Sequence, residues 1–124
     1  YDVATSGIYP KGGATDCVIE RNLIRNANIG VAVGFYTDAE WMSPAENPGY
    51  YESIRAVVRN NTIVDTRYAG IGLWASLDSK VYNNTLVNVA RTAQAGILFD
   101  RVSHWYGGST KWQLNRNATV VNNV

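Results

Sequence analysis

The chain is poor in the residues that build disulfide frameworks, metal centres and strongly charged surfaces. It has one cysteine, one histidine and one methionine among 124 residues. A single cysteine supports neither an internal disulfide nor a cysteine-based metal site, and we expect Cys17 to be a buried free thiol. The net charge of +1 argues against a partner bound through bulk charge, such as nucleic acid or an anionic membrane surface.

Long apolar runs and helical periodicity are lacking as well. No apolar run approaches the roughly 18 residues of a membrane span, so no membrane partner is expected. No window shows sustained apolar spacing at i, i+3, i+4 and i+7, and asparagine, glycine and valine recur too often for a helical chain. An all-β fold is therefore predicted.

What the sequence does contain is a repeat. The phrase V-x-N-N-T-[IL]-V-[DN] occurs around Asn61 and again around Asn84, with looser copies around Asn22 and Asn123. The separations of these asparagines are 39, 23 and 39 residues. They predict a unit of about 23 residues, with an insertion in two of the units.

Residues at equal distances from the four asparagines share a character. Five positions earlier the residue is small: Cys17, Ala56, Ser79 and Ala118. Three positions earlier it is β-branched: Ile19, Val58, Val81 and Val120. Two positions later it is apolar: Ile24, Ile63 and Leu86. This alternation predicts short strands with one buried face.

Each unit is predicted to hold three short strands separated by corners that asparagine or glycine marks. A third apolar run opens with a glycine in each unit: Gly7, Gly30, Gly70 and Gly96. Asparagine tolerates the left-handed conformation of a sharp corner. Stacked coils would place equivalent residues about 4.8 Å apart, so Asn22, Asn61, Asn84 and Asn123 are expected to form a hydrogen-bonded ladder.

The repeated phrase, followed by A-G-I, resembles the right-handed parallel β-helix, or pectate-lyase-like, superfamily. That superfamily includes pectate, alginate and chondroitin lyases, polygalacturonase-type hydrolases, epimerases and phage tailspikes. The run GIYPKGGATDCVIERNLIRN resembles a bacterial group of secreted, lyase-like β-helix proteins. The resemblance implies an all-β solenoid of about four coils and a secreted or cell-surface location.

Residues 1–124 are interpreted as one β-helix segment of a longer chain, whose remaining coils would be its partners. Two insertions interrupt the coils, at residues 35–55 and 101–117. Both leave the same corner two rungs apart, so their bases should lie about 10 Å from each other and flank one face. Trp74 is expected between them.

The insertions contain eight of the fourteen aromatic residues, and aromatic faces pack against the C–H faces of sugar rings. The candidate substrate-binding residues are Trp41, Trp74, His104, Trp105, Tyr106 and Trp112. The alternative is that these rings fold back over the sheet as a small core for the two loops. For His104 the alternative is a solvated loop histidine.

Outward positions on the third strands give the column Lys11, Gly34, Trp74 and Asp100, followed by Arg101. Lyases of this fold use a lysine or arginine as the base that takes the proton α to a uronate carboxyl group. Arg101 resembles the strand-end arginine of the chondroitin- and alginate-lyase types. Their lysine one coil earlier is missing here, and Lys11 would lie about 14 Å away. The candidate catalytic residues are Lys11, Asp100 and Arg101.

A hydrolase would instead need two carboxylates about 6.5–9.5 Å apart for inversion, for which Asp38 and Asp100 are candidates. Ca²⁺ is a cofactor that the resemblance implies, but the acids are too scattered to predict a metal site. Two functions therefore stay open. One is a carbohydrate-active segment that binds and cleaves an extended polysaccharide as a lyase or hydrolase. The other is a non-catalytic structural, adhesin or tailspike-like module.

Overall fold

The structure, a computed structural model, describes residues 3–106 and 109–124, and the side chains of residues 3, 4, 106 and 109 lie outside that description. Within these ranges the chain forms sixteen strands, one short 3-10 helix at Ala39–Trp41 and no α-helix. The all-β prediction is confirmed. No helix in the described ranges is long and apolar enough to cross a bilayer.

The strands are short and follow one another in a repeating order. They are β1 (Val3–Ile8), β2 (Ala14–Thr15), β3 (Val18–Glu20), β4 (Leu23–Arg25), β5 (Ala27–Val33), β6 (Ser53–Ile54), β7 (Val57–Arg59), β8 (Thr62–Val64), β9 (Ala69–Trp74), β10 (Ser76–Leu77), β11 (Lys80–Tyr82), β12 (Thr85–Val87), β13 (Ile97–Asp100), β14 (Val102–Tyr106), β15 (Ser109–Gln113) and β16 (Thr119–Val121).

Fourteen of these strands build four parallel sheets, and each successive stretch of chain adds one strand to each sheet in turn. Sheet A has the order β1-β5-β9-β13, sheet B β2-β6-β10, sheet C β3-β7-β11-β16 and sheet D β4-β8-β12. The remaining pair, β14 and β15, is an antiparallel hairpin. Parallel sheets stacked in chain order are consistent with the predicted solenoid.

The asparagines of the repeat lie above one another and are joined by their side-chain amides. Asn22 donates from Nδ2 to Oδ1 of Asn61 at 2.9 Å, Asn61 donates likewise to Asn84, and Asn84 to Asn123, each at 2.9 Å. Each Oδ1 also accepts the backbone N–H of the asparagine below it, at 3.0 Å. The predicted ladder is therefore a continuous chain of hydrogen bonds.

The apolar columns of the sequence stack into the interior. Ile19 lies beside Val58, Val58 beside Val81, and Val81 beside Val120. Flanking residues of the same strands point outward, so the predicted alternation is confirmed. The least exposed core residues include Val31, Val33, Val58, Ile63, Ile71, Leu73 and Val81, all at 0%. Cys17 is a free thiol but only half buried, which corrects the expectation of a buried one.

The corners differ from the prediction in where the left-handed residue lies. The residue before each ladder asparagine carries the positive φ: Arg21 (57°), Asn60 (55°), Asn83 (55°) and Asn122 (50°). The ladder asparagine that follows directs its amide along the stack. One residue bends the chain and the next bonds the neighbouring coil, which explains the doubled Asn-Asn of the phrase.

The structure also contains a fourth kind of strand, in sheet B, which the prediction of three strands per unit did not include. Sheet B consists of two-residue strands, each followed by a left-handed residue: Asp16, Arg55 and Asp78. Strands this short leave no periodic signal in a sequence.

The repeated glycines lie within or next to the strands of sheet A rather than at the predicted start of each, and they mark a close approach between coils. A Cβ atom on Gly30 would lie 2.5 Å from the carbonyl oxygen of Gly70, and one on Gly70 2.7 Å from that of Gly96. Only glycine leaves room for the backbone of the next coil at this column.

Replacing Asn61 by alanine should destabilise the fold by about 3 kcal/mol. The change removes the acceptor of two Asn22 bonds and the donor to the Ile19 carbonyl, and each buried group left unpaired costs about 1–3 kcal/mol. Urea unfolding measures the effect. The neighbouring exposed Thr62→Ala variant is the control and should change stability by under about 0.5 kcal/mol. Equal effects of the two variants would contradict a stabilising ladder.

Acid should weaken the ion pair that links the first two coils at the surface. Arg55 pairs with Asp16 at 2.6 Å, and its hydrogen-bonded guanidinium lowers the pKa of the Asp16 carboxyl from its ordinary value of 3.8. A lowered folded-state pKa means that this contribution is present above pH 3.8 and is lost as the pH falls through the folded-state value. Urea midpoints from about pH 5 to about pH 2 should therefore fall less steeply for Asp16→Asn than for the wild type. The same pH dependence of the urea midpoint in both proteins would show that this ion pair does not stabilise the fold. Glu46→Gln, which changes an exposed acid, is the control.

Candidate functional site

The first insertion leaves sheet A at a residue that must be glycine. Gly34 ends the path of β5 with a φ of +86°, and a Cβ atom there would lie 2.7 Å from Cβ of Glu52. The insertion returns at Glu52, directly before β6, rather than at the predicted boundary of residue 55. The start and the end of this loop are thus in contact.

A buried asparagine closes the far part of the same insertion. Asn47 is 7% exposed; its Nδ2 donates to the Tyr51 carbonyl at 2.8 Å, and its Oδ1 accepts the Tyr51 N–H at 3.0 Å. Nearby, the hydroxyl of Tyr36 donates to Asp38 at 2.6 Å, and this bond raises the pKa of the phenol above its ordinary value. The insertion is a structured loop.

The second insertion is the hairpin β14–β15. Its cross-strand partners include Ser103 with Trp112 and Trp105 with Thr110, which puts both tryptophans on one face. On the other face Val102 and His104 are 5% and 2% exposed. This face packs on the first insertion, because the 3-10 helix contacts β14.

A fully buried carboxylate connects the two insertions to the stacked sheets. Glu52 is 0% exposed. Its oxygens accept the N–H of Gly12 at 3.1 Å and both the N–H and the hydroxyl of Thr37 at 2.7 Å. One carboxylate thus ties a turn of the first coil to the first insertion, and three donors offset much of the cost of burying it.

His104 brings the hairpin to this carboxylate. Its Nδ1 lies 3.1 Å from the Thr37 carbonyl, which can only accept, so Nδ1 carries a proton and donates. Its Nε2 lies 3.8 Å from Oε1 of Glu52 and makes no hydrogen bond to the described residues. The imidazole also lies between the rings of Tyr36 and Tyr50, with centroids 6.3 Å and 6.2 Å away. We call Gly12, Thr37, Glu52 and His104 the Glu52 cluster.

The structure therefore does not place His104 in solvent, and the alternative of a solvated loop histidine is wrong. The insertions also contact each other instead of standing on either side of an open face. Trp74 is 5% exposed beneath the edge of Phe35, with ring centroids 5.4 Å apart. Gly72 makes this possible, because a side chain there would overlap the indole.

Three of the predicted tryptophans are exposed, in contrast to the buried Trp74. Trp41 is 75% exposed, Trp105 66% and Trp112 56%. Trp105 and Trp112 share the outer face of the hairpin, and we call these two residues the tryptophan platform. Trp41 lies on the 3-10 helix, which contacts β14. Tyr106 belongs to β14, but its side chain is outside the described part of the chain.

Asp100 and Arg101 lie together at the end of β13, beside the platform. Oδ1 of Asp100 accepts the Arg101 N–H at 2.7 Å, and the Arg101 guanidinium lies 4.1 Å from the ring centre of Trp112. Both residues line an open hollow of about 380 Å³. Asn115 fixes this corner by donating to the carbonyls of Leu73 and Asp100, at 2.9 Å and 2.7 Å.

Lys11 is not part of this group. It follows β1, whereas Asp100 ends β13 at the opposite edge of the four-stranded sheet A. Its Nζ donates to the Tyr36 carbonyl at 3.0 Å and lies 5.4 Å from the ring centre of Tyr9. Of the three predicted catalytic residues, the structure brings together Asp100 and Arg101 alone.

A cavity of about 420 Å³ lies between the insertions. The hairpin contributes His104, Lys111 and Trp112 to its wall, and the first insertion contributes Gly49 and Tyr50. Cationic and aromatic groups share one concave surface here. Groups of three or more potential metal-ligating side chains do not occur in the described ranges.

Glu52 and Thr37 are residues that the sequence reasoning missed. Glu52 was one of several acids in a loop, and its three donors lie 40 and 15 residues away in the chain. Its position carried a signal, because Glu52 directly precedes the small and the apolar residue with which the chain returns to the repeat after the insertion. That position shows that the side chain is buried only when the register between the coils is known.

Comparisons with protein-family models, with curated proteins and with solved structures find no match for this chain.

Loss of the Glu52 carboxylate should detach the hairpin. In Glu52→Ala the donors on Gly12 and Thr37 lose their acceptor, at about 1–3 kcal/mol for each buried group. Hydrogen exchange of the β14 and β15 amides should then accelerate about 100-fold, which corresponds to roughly 2.7 kcal/mol. The exposed Glu40→Gln variant in the same insertion should exchange like the wild type. Unchanged protection in Glu52→Ala would show that the hairpin docks without this carboxylate.

Proposed function

We propose that the chain is a segment of a right-handed parallel β-helix of the pectate-lyase-like type, and that it binds an extended polysaccharide. Four parallel sheets filled in chain order and an asparagine ladder between sheets C and D support the architectural part. A secreted or cell-surface bacterial location, and further coils of the same chain as partners, belong to the proposal through the resemblance of the repeat.

The tryptophan platform carries the functional part. Isolated exposed apolar residues are common on proteins, but two exposed indoles on the same face of one hairpin form a surface that needs an explanation. A buried face of the same hairpin already supplies its anchoring, so these rings are not required to hold it. Indole faces pack on the C–H faces of sugar rings while the ring N–H reaches a hydroxyl.

The hollow beside the platform gives the bound polymer a continuous path. Arg101 stacks on Trp112, so a cation stands between an aromatic surface and the hollow that Asp100 lines. An arginine in that position can pair with a carboxylate or a hydroxyl of the next sugar unit. Platform, Arg101 and hollow together offer contacts to several successive units.

Cleavage is the second part of the proposal, with Asp100 and Arg101 as its residues. In a lyase, Arg101 would take the proton α to a uronate carboxyl group; in a hydrolase, Asp100 would act as one of two carboxylates. The position of Asp100 and Arg101 on the wall of the hollow, next to Trp112, supports a role for these two. The described residues hold no group suited to Ca²⁺, so no step uses it.

The non-catalytic module is kept as a second candidate because one observation favours it. The packing of the two insertions buries Trp74 and His104, so part of the aromatic content stabilises the loops themselves. A structural or adhesin-like segment would need that packing and the platform, but no assembled acid–base pair.

Gel retardation with polygalacturonate, alginate or chondroitin tests the binding. The Trp105→Ala, Trp112→Ala double variant should bind the retarding polymer at least about tenfold more weakly, a loss of roughly 1.4 kcal/mol. The corresponding double phenylalanine variant keeps flat rings and should retain most of the affinity. If no polymer retards the wild type, or if the alanine variant binds equally well, the proposal fails.

Product analysis separates the two candidates. A lyase should raise the absorbance of unsaturated products, a hydrolase should release reducing ends, and Arg101→Ala should abolish the first. Binding without either product would reject the cleavage part and favour the non-catalytic module.

A further inference from the structure

A third concave surface lies on sheet A, apart from the hollow at Asp100 and the cavity between the insertions. It encloses about 250 Å³, and its wall includes Thr5, Ser6, Tyr9, Phe35 and Tyr68. Pockets for drug-sized molecules typically measure about 300–1,000 Å³, so this volume suits a single ring. We call it the tyrosine cleft. None of its residues was among the site residues that the sequence suggested.

Each of the three rings in the tyrosine cleft makes a contact of its own with a neighbouring side chain. Lys11 lies 5.4 Å from the ring centre of Tyr9, and Arg67 lies 5.1 Å from that of Tyr68. Phe35 meets Trp74 edge-on at 80°. Tyr9 and Phe35 nevertheless remain 42% and 44% exposed. Preorganised rings with open faces can take a ligand with little loss of side-chain entropy.

A β-bulge supplies the polar side of the cleft. From Val3 to Ser6 the strand β1 advances three residues while its partner β5 advances two, from Ala27 to Ile29. Such an extra residue redirects side chains, and bulges are frequent beside binding sites. Here it lets the consecutive residues Thr5 and Ser6 line the same cleft, although neighbours on a regular strand face opposite sides.

We infer that the tyrosine cleft binds one pyranose ring of a saccharide, as a subsite separate from the tryptophan platform. The aromatic faces match the C–H face of the sugar, and Thr5, which is exposed, and Ser6, which is half-buried, offer hydroxyls on the same wall. The inference rests on the proposed function only in its choice of a saccharide, because the two surfaces share no residue.

NMR titration with two tetrasaccharides, tetragalacturonate and cellotetraose, tests this inference in separate arms. The aromatic signals of Tyr9 and Phe35 report on the cleft, and the indole N–H signals of Trp105 and Trp112 report on the platform. At least one tetrasaccharide should shift the cleft signals. Tyr9→Ala should weaken that response about tenfold and leave the indole response unchanged, whereas Tyr9→Phe should stay within about twofold.

Tyr9 is exposed and outside the core, so both variants should fold, and Tyr82→Ala on sheet C is the matched control. Indole shifts without any cleft shift would overturn the tyrosine cleft and leave the platform standing. Cleft shifts without indole shifts would support the tyrosine cleft and overturn the tryptophan platform. Cleft shifts that Tyr9→Ala and Tyr82→Ala weaken equally would also refute a role for this cleft.

Discussion

The amide-to-amide hydrogen bond between stacked asparagines is the constraint from which the rest of the structure follows. An amide carries a donor and an acceptor on one short side chain, so Asn61 and Asn84 each bond both the coil below and the coil above. No other residue of this length does both without a charge. The ladder thereby fixes the register of sheets C and D, and that register brings the glycines of sheet A into contact with the next coil.

The fixed register of the coils also positions the two insertions. Gly34 and Glu52 are neighbours because the coils that carry them are already stacked, and the buried carboxylate of Glu52 then orders a turn, a loop and, through Thr37 and His104, the hairpin. The anchoring is polar and internal, which leaves the tryptophans outside. A surface of this kind can vary in sequence without disturbing the sheets that support it.

The regular part of the fold could be predicted because its signals are local and repeated. Asn61 and Asn84 sit in the same phrase, and the β-branched column around Val58 reports its own burial. The site could be predicted only in part. Exposed tryptophans such as Trp105 reveal themselves by type, whereas Glu52 and His104 acquire their roles from partners 40 and 67 residues away. Separations of that kind leave no periodic trace.

The unequal spacing of the ladder also bears on how the chain reaches this structure. The bond between Asn61 and Asn84 closes 23 residues, whereas those on either side close 39. Closing the shorter loop costs about 0.5 kcal/mol less chain entropy. The two coils that meet at Asn61 and Asn84 are therefore the natural nucleus, from which assembly spreads in both directions. The aromatic loops, which need finished coils beneath them, would order last.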